Sequence, residues 1–142
     1  MSADDIIYWV DRCLGTEVVP TALRDHGANI RTYDDLYPDD PKVSDETWIP
    51  EVASRGWVIL TKDKNIRRAA AEIQALRNAR ARYVCLSSSN MRGDEQAACL
   101  VSHWNTIQSV VMTKPVPLIA SVTRDNVQWL DKAQWRVAKR KR

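Results

Sequence analysis

The 142-residue sequence contains no phenylalanine, four glycines and two histidines. Its glycines form neither GxGxxG nor GxxxxGK, so both familiar glycine-rich phosphate cradles are excluded. His26 and His103 have no second His or Cys at ligand spacing, which speaks against a zinc centre. His26 stands before Gly27 and suits a helix C-terminus instead. The three cysteines, Cys13, Cys85 and Cys99, form no CxxC and leave one unpaired in any disulfide scheme. Reduced thiols in a cytoplasmic protein are expected. No apolar run reaches the roughly 18 residues of a membrane-spanning helix. Asp4 and Asp5 precede the first short apolar run, the reverse of a secretory signal. No repeat or low-complexity tract suggests a second core, so one domain over residues 1–135 with a basic tail over 136–142 is expected.

Hydrophobic residues make up 44% of the chain and charged residues 27%, a globular balance. The net charge of +3 is unevenly spread. The first 51 residues hold 12 acids and four Lys or Arg, whereas the remainder holds six acids and 17 bases. An acidic site and a separate surface that tolerates polyanions follow from that split.

The hydrophobic pattern alternates between two periods. Ile6–Val10 is a continuous apolar run that reads as a strand buried on both faces. A helix follows from Val18 or Val19 to a stop at Gly27, with Pro20 in its first turn. Residues 28–33 form a weaker strand, and 34–43, with Pro38, Pro41 and four aspartates, a loop. Ser44 caps a helix beginning Asp45-Glu46, which Pro50 is expected to kink or split before Gly56. Trp57–Thr61 is the clearest strand, followed by a helix over 64–79 and a strand over 82–86. One long amphipathic helix is expected over 94–112, then a hairpin of strands 117–123 and 127–130 around Arg124-Asp125-Asn126. Such alternation specifies an α/β fold, a three-layer α/β/α sandwich on a mainly parallel central sheet.

In open parallel sheets the functional crevice lies beyond the carboxyl ends of the strands. Ile6–Val10 delivers Asp11 there, and Trp57–Thr61 delivers Asp63 two residues on. The intervening helix runs antiparallel to the strand after it, so Asp45 and Glu46 in its first turn reach the same end. Three gathered carboxylates must keep a proton or share a cation, and hard oxygen donors select Mg²⁺ or Mn²⁺. Such an ion activates water and neutralises a phosphodiester. Each Asp is equally explained as a separate helix cap or first-turn dipole acid, and spacing alone leaves both readings open. Lys62 and Lys64 flank Asp63, and Arg12 follows Asp11. Arg67, Arg68, Arg77, Arg80 and Arg82 form a basic flank, either a solvated face or a surface tracking RNA backbone. Ser87-Ser88-Ser89-Asn90 lies where the fourth strand meets the crevice and suits a phosphate oxygen or simply a polar loop. Trp9, Trp57 and Trp104 belong in the core, leaving Trp48, Trp129 and Trp135 for contacts with a partner.

Trp9-Val10-Asp11-Arg12-Cys13-Leu14-Gly15, Ser44-Asp45-Glu46-Thr47-Trp48-Ile49-Pro50 and Arg55-Gly56-Trp57-Val58-Ile59-Leu60-Thr61-Lys62-Asp63-Lys64 together resemble PIN-like proteins. More narrowly they resemble VapC-type toxins of the small PIN-like branch, over about residues 6 to 130. The resemblance implies a Mg²⁺- or Mn²⁺-dependent endoribonuclease with metal-binding acids at Asp11, Asp45 and Asp63, and Glu46 as alternate to Asp45. Beside this site, Lys62, Lys64, Arg12, Arg67 and Asn90 are expected to contact the RNA. The resemblance also implies a cognate antitoxin protein; a homodimer is a further expectation, and the lack of a long apolar run argues against a membrane partner. Many PIN nucleases carry a fourth acid near the end of the fourth strand, where this chain has Ser87-Ser88-Ser89-Asn90 and, slightly later, Asp94. That departure motivates an alternative, a PIN-like RNA- or protein-binding module without catalysis. A phosphatase-like domain using Asp11 as nucleophile is disfavoured, because Cys13 stands where it would want a second acid.

Overall fold

The structure is a computed structural model, and it describes residues 2–62, 70–87 and 90–130. Six strands form one sheet: β1 (Ile7–Val10), β2 (Asn29–Thr32), β3 (Val58–Lys62), β4 (Arg82–Leu86), β5 (Leu118–Val122) and β6 (Val127–Leu130). Their spatial order is β2-β1-β3-β4-β5-β6, parallel except for the antiparallel β5–β6 hairpin. The helices are α1 (Val18–Asp25), α2 (Tyr33–Leu36), α3 (Asp45–Ser54), α4 (Ala70–Ala79), α5 (Gly93–Ser102) and α6 (Trp104–Thr113).

Strand alternation sends neighbouring side chains to opposite faces and so builds two cores. Tyr8, Val10, Val58, Leu60, Val84, Leu86, Leu118, Ala120 and Val122 pack against Val19 and Leu23 of α1, Leu100 of α5, and Trp104 and Ile107 of α6. Trp9, Ile59, Tyr83, Cys85 and Ile119 pack on the other face against Tyr33, Trp48, Ile49 and Val52, and against Ile73 and Leu76 of α4. Both faces are covered, which is why β1 and β3 read as unbroken apolar runs. The expected three-layer architecture is the one the chain adopts.

Three local expectations change. Residues 33–36 form a helical turn within the expected loop, with the Thr32 amide donating to Asp35 Oδ2 at 2.8 Å. Pro50 does not split α3, which runs unbroken from Asp45 to Ser54. Its ring is exposed, whereas Trp48, Ile49 and Val52 form the buried face, so the carbonyl left without an amide partner lies on the wet side. The long helix is two helices meeting at His103, whose backbone leaves the helical region at φ −103° and ψ 8°. Ser102 Oγ donates to the Cys99 carbonyl at 2.9 Å, and the His103 ring contacts the Arg124 carbonyl at 3.0 Å, so the break is tied to the β5–β6 turn. The start of the helix expected over 64–79, Arg67, Arg68, Trp135 and the basic tail lie outside the described residues.

Candidate active site

The site is built where β1 and β3 end. The Asp11 amide donates to the Leu60 carbonyl at 2.9 Å, which extends the β1–β3 pairing by one residue and fixes the Asp11 backbone. Its carboxylate accepts from the Arg12 amide at 2.7 Å on Oδ1 and from Thr61 Oγ1 at 2.9 Å on Oδ2. The cap expected of an Asp at a strand end is thus present, since the Arg12 amide opens a 3-10 turn over Arg12–Leu14. Thr61 is 4% exposed, so its hydroxyl serves Asp11 in place of solvent. Gly15 ends the turn at φ 84° and ψ 177°, a region essentially reserved for glycine.

Cys13 enters the same network. Its Sγ lies 3.1 Å from Thr61 Oγ1 and 3.5 Å from Asp11 Oδ2, and it accepts from the Lys62 amide at 3.2 Å. Burial pushes the Cys13 thiol up, with the Asp11 charge adding to it, while contacts from Thr61 and Lys62 pull the other way. The sequence alone assigns Cys13 no partner and does not single out Thr61. No local signal could have found Thr61, because its contact with Asp11 arises only from the β1–β3 pairing.

Asp45 opens α3, whose N-terminus stands at the same end of the sheet. Its Oδ1 accepts from Trp48 Nε1 at 2.9 Å. Loss of hydration holds the Asp45 carboxyl above its ordinary range; the Trp48 hydrogen bond lowers it, and the charges of Asp11 and then Glu46 raise it. The charge of Asp11 thus reaches Asp45, 34 positions away in sequence. Glu46 is exposed beside Asp45. Trp48 is not a surface contact as expected but 4% exposed, its ring 4.9 Å from Trp9, because its indole must both fill the core and reach Asp45.

Arg12 reaches sideways. Its guanidinium sits 5.3 Å over the Tyr33 ring and donates to the Pro41 carbonyl. Tyr33 Oη donates to the Asp40 carbonyl at 2.8 Å and accepts from the Val43 amide at 3.0 Å. Together they fasten the segment that leads into Asp45. Lys62 is half-buried at the end of β3, and Asn90 is exposed in the turn before α5. Asp63 and Lys64 follow Lys62 directly but lie outside the described residues.

At the fourth strand, Ser87 Oγ and Ser121 Oγ share a hydrogen bond of 2.8 Å, and Ser87 N donates to the Val122 carbonyl at 2.8 Å. Asp94 is drawn instead to Arg92, at 3.2 Å in the exposed first turn of α5. Arg77, Arg80 and Arg82 stand at the opposite end of the sheet, since Arg82 opens β4 opposite Val58 and the α4–β4 turn precedes it. They do not flank the crevice. Trp57 is half-buried under the Arg55 guanidinium at 5.2 Å, less enclosed than expected of a core residue. Trp129 is 41% exposed with Lys114 Nζ 4.7 Å from its ring centre, as expected of a surface tryptophan.

Among the described residues no three His, Cys, Asp or Glu side chains converge closely enough to hold a metal. Asp11 and Asp45 offer hard oxygen donors at one end of the sheet, with the Thr61 hydroxyl on Asp11, and this donor chemistry fits Mg²⁺ or Mn²⁺ better than zinc. Among the described residues no helix is long and apolar enough to cross a membrane.

Comparison with known proteins agrees with this arrangement. A family described as "PIN like domain" matches residues 7–88, the stretch that carries Asp11 and Asp45 and ends just past β4. "Putative ribonuclease VapC45" of Mycobacterium tuberculosis (strain ATCC 25618 / H37Rv) is 37% identical over 92 residues, covering 63% of this chain and 67% of the relative. No solved structure matches. With β1, α3 and β3 converging on one acidic end, and with that match spanning them, the chain belongs to the PIN-like family and is of the VapC type.

Proposed function

We propose that the protein is a Mg²⁺- or Mn²⁺-dependent endoribonuclease, the toxin of a type II toxin–antitoxin pair. The observation that carries this reading is that β1 and α3 bring Asp11 and Asp45 to one end of the sheet, where the Asp11 charge adds to the burial that raises the Asp45 carboxyl. A relative named as a ribonuclease supports RNA as the substrate.

In this reading Asp11 and Asp45 hold the cation with Asp63, and Glu46 stands as alternate to Asp45. A cation bound there neutralises phosphate charge and makes a water more acidic. Thr61 and the Arg12 amide keep the Asp11 carboxylate in one orientation, and Trp48 does the same for Asp45. Arg12 acts by position, holding the Pro41 segment and hence the start of α3, rather than only by touching RNA. Lys62 and Lys64 supply point charges to phosphate oxygens, and Arg67 and Asn90 extend the contact. The antitoxin covers this crevice, residues 1–135 act as one domain, and a homodimer and a cytoplasmic location complete the reading.

The test is cleavage of a mixed structured RNA pool with Mg²⁺ or Mn²⁺ against EDTA, beside Asp11→Asn and Asp63→Asn. Metal-dependent cleavage by the wild type, lost in both variants, is expected. A second reading, binding without cleavage, draws on the Ser87–Ser121 pair that stands where many relatives of this fold keep a fourth acid. Its outcome is RNA bound equally well by wild type and both variants, with no cleavage under any metal.

A further inference from the structure

Away from the acidic crevice, an open groove of about 690 Å³ runs beside β2, lined by Arg24, Arg31, Asp35, Leu36, Arg55 and Trp57. β2 is an edge strand, and an exposed edge normally invites another strand. Here its backbone is already engaged. The Ile30 carbonyl accepts from Arg24 at 3.2 Å and from Arg31 at 3.3 Å, and the Thr32 amide donates to Asp35. Arg24 and Asp35 approach to 4.0 Å and close across both groups. Strand addition by a peptide would have to displace these contacts, which favours recognition by side chains in the groove.

Those side chains form a plane and a charge. Glu51 holds Arg55 through Nε at 2.9 Å and through a second nitrogen at 2.8 Å, and the guanidinium lies over Trp57. A guanidinium held over an indole pairs a cation with an aromatic plane, the combination that stacks on a nucleobase. Arg31, beside it, donates to Asn29 Oδ1 at 2.9 Å and to the Ile30 carbonyl, two neutral oxygens, and among the described residues no carboxylate forms an ion pair with it. Stacking planes alternating with cations are what single-stranded nucleic acid requires of a sequence-tolerant surface. Trp57 precedes Val58, which pairs with Tyr8, whereas Asp11 stands level with Thr61. The groove's floor is thus about 13 Å along the strands from the acids, within reach of a longer strand.

We propose that this groove is a second binding site for single-stranded RNA, taking a phosphate on Arg31 and a base on the Arg55–Trp57 stack. The inference rests on the ribonuclease reading above. It is tested by anisotropy of a labelled unstructured RNA in EDTA over a range of salt, with wild type, Arg31→Ala, Arg31→Lys and Arg55→Ala. The two alanine variants are expected to weaken binding roughly tenfold. Arg31→Ala lowers the slope of log affinity against log salt by about 0.7, and Arg31→Lys keeps that slope. Melting curves identify a variant that fails to fold, and Arg31→Ala, on an exposed edge, carries the test if Arg55→Ala does. Unchanged RNA affinity in a folded Arg31→Ala, while the wild type still cleaves RNA with metal, overturns the groove and leaves the nuclease standing. A wild type that neither binds nor cleaves RNA overturns both. Weakened binding of poly-glutamate with RNA binding intact assigns the groove to an acidic protein and overturns the proposal.

Discussion

Thr61 shows how one hydroxyl links fold and site. It sits at a buried position of β3, yet its oxygen is shared between Asp11 and Cys13. Replacing it with valine keeps the shape and removes the donor, leaving Asp11 Oδ2 short of a partner. Thr61→Val should cost about 1 kcal/mol in urea unfolding and slow RNA cleavage, whereas Thr61→Ser should restore both. Trp48 makes the matching contact to Asp45 while filling the core between Trp9 and α3. Trp48→Phe separates these roles: most of the packing stays and the Asp45 contact goes. A loss of cleavage larger than the loss of stability is expected, measured by comparing initial rates with melting temperatures.

At the scale of elements, α3 and the turn after β1 carry the site. Pro50 lies inside α3 on its exposed face, where it withholds an amide without disturbing the buried one. An interior proline is costly even when tolerated, so Pro50→Ala should raise the melting temperature; a fall would show that the ring stabilises the helix. Gly15 behaves oppositely. Its φ of 84° is available to few other residues, and Gly15→Ala should cost roughly 1–3 kcal/mol by chemical denaturation, although no atom crowds the missing Cβ. The sequence marks β4 to the residue and β1 and β3 to within one residue at each end, because their apolar runs are short and end at charged or polar residues. The break at His103 was not legible. The apolar spacing on its two sides fits one helix, and the contact that accompanies the break, His103 with the Arg124 carbonyl, is long-range.

For the whole molecule, the two cores fix the relative placement of α1, α5 and α6 on one face and of α3 and α4 on the other. Cation binding at the crevice should stabilise that arrangement by mass action. Mn²⁺ at saturating concentration is expected to raise the melting temperature of the wild type and to leave Asp11→Asn nearly unmoved, a readout independent of catalysis.

The sequence by itself determined the alternating α/β order, the parallel sheet and the candidate acids at strand and helix termini, because period and chain polarity are local properties. Composition likewise carried the uneven spread of charge. Only the tertiary structure decided which residues share space. It placed Asp45 within the field of Asp11, gave Asp11 its Thr61 and Cys13 neighbours, and buried Trp48. It also moved Arg77, Arg80 and Arg82 to the far end of the sheet and gathered Arg31, Arg55 and Trp57 into a groove. Strand order is the physical reason: placing β1 between β2 and β3 joins residues some 50 positions apart, such as Asp11 and Thr61, and no local pattern encodes that pairing.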